Sequence, residues 1–154
     1  MANTYSQIYI QVVFAVKGRQ HIMLNPWRVD LFKYMAGIIN AKNQKSIIVN
    51  GVADHVHLFI GLKPTMAVSD LVREIKNNAS KWINDQRFVR GKFSWQEGFG
   101  AFSYSHSQVG NVYRYILNQE AHHHKKTFRE EYLEILQRFE IEHDDAYLFE
   151  WLEK

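Results

Sequence analysis

The segment from residue 54 to residue 60 constrains the fold most, because it is a short apolar and β-branched run with a glycine on either side. This composition predicts a β-strand. Alternate side chains of a strand share a face, so three apolar side chains should enter the core: Val56, Leu58 and Ile60. The opposite face would carry His55, His57 and Phe59. Two neighbouring imidazoles are costly to bury without partners, and together they can bind one metal ion, although two ligands alone do not make a metal site.

The periodicity of the remaining chain predicts three more strands and four helices. Strands are predicted at residues 5–16, 46–52 and 99–105. Helices are predicted at residues 25–43, 67–86, 107–123 and 129–140. The order strand, helix, strand, strand, helix, strand is the split β-α-β pattern. We therefore predict an α+β chain of one domain, residues 1–154, with a ferredoxin-like (RRM-like) antiparallel sheet, helices on one face and added C-terminal helices.

In a ferredoxin-like fold the second face of the sheet is free, so His55 and His57 are expected to be open to a ligand. The aromatic and apolar segment 146–152 is expected to dock on the body of the molecule or on another subunit, because a free tail of this kind would aggregate.

Composition and charge narrow the classes of function. The 154 residues include no cysteine, which excludes disulfides, thiolate metal sites and cysteine nucleophiles. No apolar run is long enough for a membrane span, and the N-terminus lacks the layout of a signal peptide, so a cytoplasmic location is expected. Residues 1–126 carry a net charge of +9, whereas residues 127–154 carry −6. The basic body favours a polyanion such as nucleic acid as partner. The candidate phosphate contacts are Lys17, Arg19, Arg73, Lys76 and Lys81.

The third predicted helix contains a second group of candidate functional residues. Tyr115 and Gln119 are four residues apart and therefore share one helix face. If this helix crosses near the histidines, Gln119 can offer its amide oxygen as a third ligand beside His55 and His57. Such a neutral site suits a divalent ion that polarises a phosphate oxygen. Tyr115, one turn away, is then the candidate nucleophile, since a phenol of ordinary pKa near ~10 needs such a polarised target.

These two motifs together resemble those of a known family, the one-tyrosine HUH transposases of insertion sequences that move as single-stranded DNA. The family is named for a His-hydrophobic-His pair, here His55-Val56-His57, and its catalytic helix carries Tyr-x-x-x-Gln, here Tyr115 to Gln119. The resemblance extends over the whole chain. Further similar segments are residues 13–17, 95–102, 122–123 and 128–132. REP-associated tyrosine transposases are relatives of this family.

The resemblance implies a specific activity. Tyr115 would attack a phosphate in single-stranded DNA, form a 5′-phosphotyrosine and release a 3′-hydroxyl. A divalent metal, Mg²⁺ or Mn²⁺, would be held by His55, His57 and Gln119. The partners implied are DNA with hairpin ends and a second copy of the chain, into which the tyrosine helix can be donated.

Two alternatives remain open from the sequence. The chain can be a domesticated relative that nicks chromosomal hairpins by the same chemistry without mobilising its own gene. It can also be a non-catalytic RRM-like module, in which Tyr5 and Tyr9 would stack on bases.

Overall fold

The described residues form the strands β1 (Tyr9–Ala15), β2 (Lys45–Gly51), β3 (His55–Gly61) and β4 (Gly100–Tyr104). These strands form one antiparallel sheet in the order β2-β3-β1-β4. The structure is a computed structural model that describes residues 3–123 and 125–143. Together with the helix that follows β1 and the helix that follows β3, this order confirms the predicted ferredoxin-like fold. The segment 146–152 lies outside the described residues.

Two helices, α1 (Trp27–Ala41) and α2 (Val68–Gln86), cover one face of the sheet. The three apolar residues predicted to be core in β3 are buried in this layer. Residues of α1 and α2 at helical spacing meet them, among them Leu31, Met35, Leu71, Ile75 and Ala79. The side chains of β3 therefore alternate between the two faces of the sheet as predicted, with the three core residues facing α1 and α2. None of the helices in the described ranges is long and apolar enough to cross a membrane.

The second face of the sheet is covered as well, by α3 (Val109–Leu117), α4 (Gln119–His123) and α5 (Phe128–Arg138). Val13 and Ala15 of β1 pack with Phe128 and Tyr132 of α5, and Phe59 packs under α3. The expectation of a free face was therefore wrong. The second face is covered because α3 and α5 each carry an apolar stripe, and such a stripe is stable only when it packs against another apolar surface.

The predicted helix 107–123 is divided at Asn118, where α3 ends and α4 begins. After residue 124, which lies outside the described residues, α5 begins with a capping box: the Thr127 hydroxyl accepts from the Glu130 amide, and the Glu130 carboxylate accepts from the Thr127 amide. This cap fixes the start of the helix that covers the histidines.

Candidate active site

The two histidines of β3 are completely buried between the sheet and α3–α5, with no exposed surface on either ring. Their cross-strand neighbours in β1 are Ala15 beside His55 and Val13 beside His57. The Phe128 ring stacks on His55 with 3.9 Å between ring centroids. The expectation that a ligand reaches these rings from solvent was therefore wrong for this conformation, because α5 lies over them.

Each ring is held by a hydrogen bond at its Nδ1 atom. Nδ1 of His55 lies 2.6 Å from a carboxylate oxygen of Asp54. Nδ1 of His57 lies 2.9 Å from the amide nitrogen of Gln11, whose oxygen accepts a hydrogen bond from Tyr104 at 2.7 Å. These contacts turn the Nε2 atom of both rings towards the C-terminal helices.

The Nε2 atoms meet the carboxylate of Glu131, a residue of α5 that is only 2% exposed. Its Oε1 atom lies 3.3 Å from Nε2 of His55 and 3.2 Å from Nε2 of His57. The same oxygen lies 2.9 Å from Nε2 of His123, which comes from α4. A carboxylate at the convergence of three imidazoles is thus the centre of the site.

The two residues predicted on the third helix meet at the same carboxylate. The hydroxyl of Tyr115 and the amide nitrogen of Gln119 both donate to Oε2 of Glu131, the latter at 3.0 Å. The amide oxygen of Gln119 lies 3.3 Å from Nε2 of His55, and the Tyr115 ring stands edge-on to His57 at 5.9 Å between centroids. The structure therefore brings the four predicted residues together within one chain. Their catalytic and ligand roles stay predictions.

The charges in the cluster shift the pKa values of its members. Burial lowers the pKa of His55, but hydrogen bonds with Asp54 and Glu131 outweigh burial and raise this pKa to about 9. Burial lowers the pKa of His57. Burial, together with the charges of His55 and His57, lowers the pKa of His123 to about 3. Burial raises the pKa of Glu131, but the charge of His57 and the hydrogen bonds of both strand histidines outweigh it and lower the pKa to about 2. Glu131 is thus a carboxylate near neutral pH.

The donor set fits a divalent metal ion. One ligand atom each from His55, His57, His123 and Glu131 lies within 4.8 Å of the others. Nδ1 of His123 lies 2.9 Å from the backbone carbonyl of Lys126, so that nitrogen carries the proton of the neutral ring and Nε2 carries the lone pair. Three imidazoles and one carboxylate are ligands that transition-metal ions accept.

Sequence reasoning missed Glu131 and gave no role to His123. Glu131 stands in an acidic run, Glu130-Glu131, which is typical of a solvated helix face. The signal that identifies it is its position: Glu131 lies on the same stripe as Phe128, Tyr132 and Ile135, all of which are buried. A lone acid on an apolar stripe is a candidate functional residue because it must find partners when buried.

The candidate phosphate contacts lie apart from this cluster. Lys17 is exposed just after β1. Arg73 and Lys81 are exposed on α2, behind the sheet as seen from the site, and pair with Asp70 and Asp85 on their own helix. The side chain of Arg19 lies outside what the structure describes.

Lys76 is half-buried instead. Its ammonium donates to the backbone carbonyls of Gln96, at 2.9 Å, and Gly98, at 2.7 Å, and lies 5.1 Å from the centre of the Phe14 ring. Burial lowers its pKa to about 8. These contacts tie α2 to the loop before β4, so Lys76 has a structural role in this conformation.

Comparison with known proteins places the chain among transposases. Residues 4–119 match a family model described as "Transposase IS200 like". A crystal structure from Deinococcus radiodurans, described as a "putative transposase", has a TM-score of 0.63 at 17% identity and covers 77% of this chain and 95% of its own. A REP-associated tyrosine transposase bound to a REP hairpin has a TM-score of 0.60 at 14% identity, over 80% of this chain and 73% of its own. At these identities the two structures show a shared fold. Among curated proteins no match was found.

Proposed function

Because the chain belongs to the family of IS200-like transposases, we propose that it cleaves and rejoins single-stranded DNA at insertion-sequence ends through Tyr115. One observation carries this proposal: the Tyr115 hydroxyl and the Nε2 atoms of His55 and His57 converge on one buried carboxylate. The candidate nucleophile and the two candidate metal-binding imidazoles therefore surround one anionic group, the carboxylate of Glu131.

The proposed reaction exchanges one phosphate ester for another. The phenolic oxygen of Tyr115 forms a bond to the scissile phosphorus, and the bond from phosphorus to O3′ breaks. The phenol loses a proton and the departing O3′ gains one, giving a 3′-hydroxyl and a 5′-phosphotyrosine. Attack of a 3′-hydroxyl on the phosphotyrosine reverses these changes and joins strands without a nucleotide cofactor. Glu131, which accepts the hydrogen bond of the phenol, orients it.

In this proposal His55, His57 and Gln119 hold a divalent ion, Mg²⁺ or Mn²⁺. Such an ion, when bound, supplies charge stabilisation to a phosphate oxygen and so lowers the barrier to attack. Asp54 can accept the N–H at Nδ1 of His55, which is the usual arrangement around a metal-binding histidine. Gln11 orients the His57 ring by donating its amide to Nδ1.

The DNA partner is proposed from the same resemblance. One structural neighbour is bound to a REP hairpin, and we propose that this chain also recognises hairpin ends. Lys17, Arg19, Arg73 and Lys81 are proposed as phosphate contacts, whereas the ammonium of Lys76 is engaged with the loop before β4. We also propose that the chain works as a homodimer. If the chain is a domesticated hairpin-nicking relative, it would use the same catalytic and DNA-binding residues.

The RRM-like alternative is disfavoured by the covered sheet. Tyr5 is 90% exposed, but Tyr9 packs against the rings of Phe59 and His106, with centroid distances of 6.3 and 6.0 Å. Helices α3 and α5 occupy the face on which an RRM-like module would stack bases. The two histidines of β3 are also completely buried, so they cannot contact bases stacked on the sheet.

A labelled-oligonucleotide assay tests the proposal. The full chain is incubated with 5′- or 3′-labelled single strands from the element ends, with and without Mg²⁺ or Mn²⁺, and resolved on a denaturing protein gel. We expect a metal-dependent covalent adduct that carries the DNA 3′ of the cut, lost in Tyr115→Phe. Tyr113→Phe is the matched control, because Tyr113 lies on the same helix and is 39% exposed. An adduct that persists in Tyr115→Phe would contradict the proposal.

A further inference from the structure

We infer that Glu131 and His123 are metal ligands together with His55 and His57, so that α4 and α5 complete the metal site. The inference rests on the proposed function and deepens it. The family match ends at residue 119, and both additional ligands lie beyond that point. The strand histidines and Gln119 would then be only part of the ligand set of this chain.

The distances from Oε1 of Glu131 to the three Nε2 atoms fit those between neighbouring ligands of one ion. Nitrogen and oxygen ligands bind such ions at about 2.1 Å, so neighbouring ligand atoms in octahedral or tetrahedral geometry are about 3.0–3.4 Å apart. Oε1 of Glu131 lies 2.9 Å from Nε2 of His123, 3.2 Å from Nε2 of His57 and 3.3 Å from Nε2 of His55. The Nε2 atoms of His55, His57 and His123, from β3 and α4, thus each lie about as far from this carboxylate oxygen as two ligands of the same ion lie from each other.

The hydrogen bonds at Nδ1 strengthen this argument. Nδ1 of His55 faces the carboxylate of Asp54, and Nδ1 of His123 faces the carbonyl of Lys126. Both partners are acceptors, so the proton of each neutral ring lies on Nδ1 and the lone pair lies on Nε2. In this form the rings of His55 and His123 each offer a lone pair at Nε2, and metal-binding histidines usually have acceptor partners of this kind at Nδ1. His57 differs, because the Gln11 amide donates to its Nδ1.

A further buried nitrogen faces the same place. Nε2 of His122 has no hydrogen-bond partner in the part of the chain that the structure describes, and it lies 3.5 Å from Oε2 of Glu131. Gln119 and Tyr115 donate to that oxygen and thereby hold the carboxylate with Oε1 towards the three imidazoles. The ligand set and the nucleophile are therefore connected through Glu131.

The donor chemistry selects among divalent ions. Mg²⁺ prefers oxygen ligands and retains several waters, whereas imidazole nitrogen suits first-row transition ions. With three imidazoles and one carboxylate, the site should bind Mn²⁺ more tightly than Mg²⁺.

Metal binding by the full chain without DNA tests the inference. Isothermal titration of metal-depleted protein with Mn²⁺ and with Mg²⁺ is compared for wild type, Glu131→Gln and His123→Gln. Even residues that only support metal ligands contribute about 10–100-fold to affinity, so we expect each variant to bind Mn²⁺ at least about 100-fold more weakly. Glu134→Gln, on the same helix but half exposed, should bind as wild type. Unchanged Mn²⁺ affinity in both site variants, or no Mn²⁺ binding by wild type, would overturn the inference.

A second measurement does not depend on how the variants fold. Pulsed electron paramagnetic resonance of Mn²⁺-loaded wild type should show nitrogen coupling from three imidazoles, and coupling from only two would remove His123 from the ligand set. Because these experiments contain no DNA, they separate two failures. Wild type that binds Mn²⁺ as expected but forms no DNA adduct would contradict the proposed function alone. An adduct with unaltered metal binding in both variants would contradict this inference alone.

Discussion

At the scale of single residues, the site depends on a buried carboxylate that contacts several imidazoles. A buried ionised group is tolerated only when it is paired and hydrogen-bonded. Glu131 meets this condition through His55, His57 and two donors, Tyr115 of α3 and Gln119 of α4. Removing one partner would leave the other groups buried without compensation, which is why we expect the ionisation of these residues to influence the stability of the metal-free protein.

The metal-free protein should lose stability as pH rises from 6.5 to 8. The pKa of His55 is raised from 6.5 to about 9 in the folded state. The protonated ring therefore stabilises the fold in full below pH 6.5, and this stabilisation is lost as the pH rises towards 9. This shift corresponds to about 3 kcal/mol in total. The lowered pKa values of His57 and His123 make stability depend on pH only below pH 6.5. Lys76, whose pKa is lowered to about 8, makes stability increase with pH, but only above about pH 8.

Urea unfolding in the presence of a chelator, at several pH values between 6.5 and 8, measures this loss. Asp54→Asn removes the carboxylate partner of Nδ1 of His55, and its unfolding free energy should depend less on pH. Equal slopes in wild type and Asp54→Asn would show that the raised pKa of His55 does not govern stability in this range.

At the scale of elements, the sequence predicted the strands better than the docking of the helices. Strand faces follow from a period of two, and β3 placed its imidazoles and its core residues on the predicted sides. An apolar stripe on a helix predicts that the helix packs, but not on which surface. The prediction therefore left the second face of the sheet free, which was wrong, and it missed the burial of the histidines and the part played by Glu131.

The turn between β2 and β3 positions His55, and Gly51 is the residue that permits it. A Cβ atom on Gly51 would clash with the backbone carbonyl oxygen of His55 and would lie 2.9 Å from Cα of Val56. We expect Gly51→Ala to lower the unfolding free energy by about 1–3 kcal/mol, the usual cost of overpacking. Thermal or urea unfolding measures the change.

Gly37→Ala is the matched control for this substitution. Gly37 lies within α1 with nothing within 4 Å of an added Cβ. Alanine there should stabilise the helix by about 1 kcal/mol. A Gly51→Ala variant as stable as wild type would mean that the turn adapts without strain.

At the scale of the whole molecule, the chain has three layers, with α1 and α2 on one side of the sheet and α3–α5 on the other. The site lies between the sheet and the second layer. The predicted cations of α2 belong to the first layer. Among the predicted cations whose side chains the structure describes, Lys17 alone follows a strand of the site. DNA that contacts both the site and α2 would have to pass around an edge of the sheet.

Salt dependence distinguishes a phosphate contact from a structural cation. Lys17→Ala should weaken hairpin binding for all sequences and reduce the slope of log affinity against log salt by about 1. Lys76→Ala should leave this slope unchanged and lower the melting temperature, because its ammonium holds the loop at Gln96 and Gly98. Fluorescence anisotropy at several salt concentrations and thermal unfolding give the two readouts. A reduced slope in Lys76→Ala would return this residue to the DNA contacts.

The cover that α3–α5 place over the histidines has a consequence for the kinetics of encounter. Both rings are fully buried, so a phosphate can meet them only after a helix has moved aside. Association with the site then includes a unimolecular opening step, and its observed rate should level off as DNA concentration increases. The measured affinity is reduced by the fraction of molecules that are closed. A hairpin contact elsewhere on the surface that favours the open form would therefore speed cleavage without touching the reacting atoms.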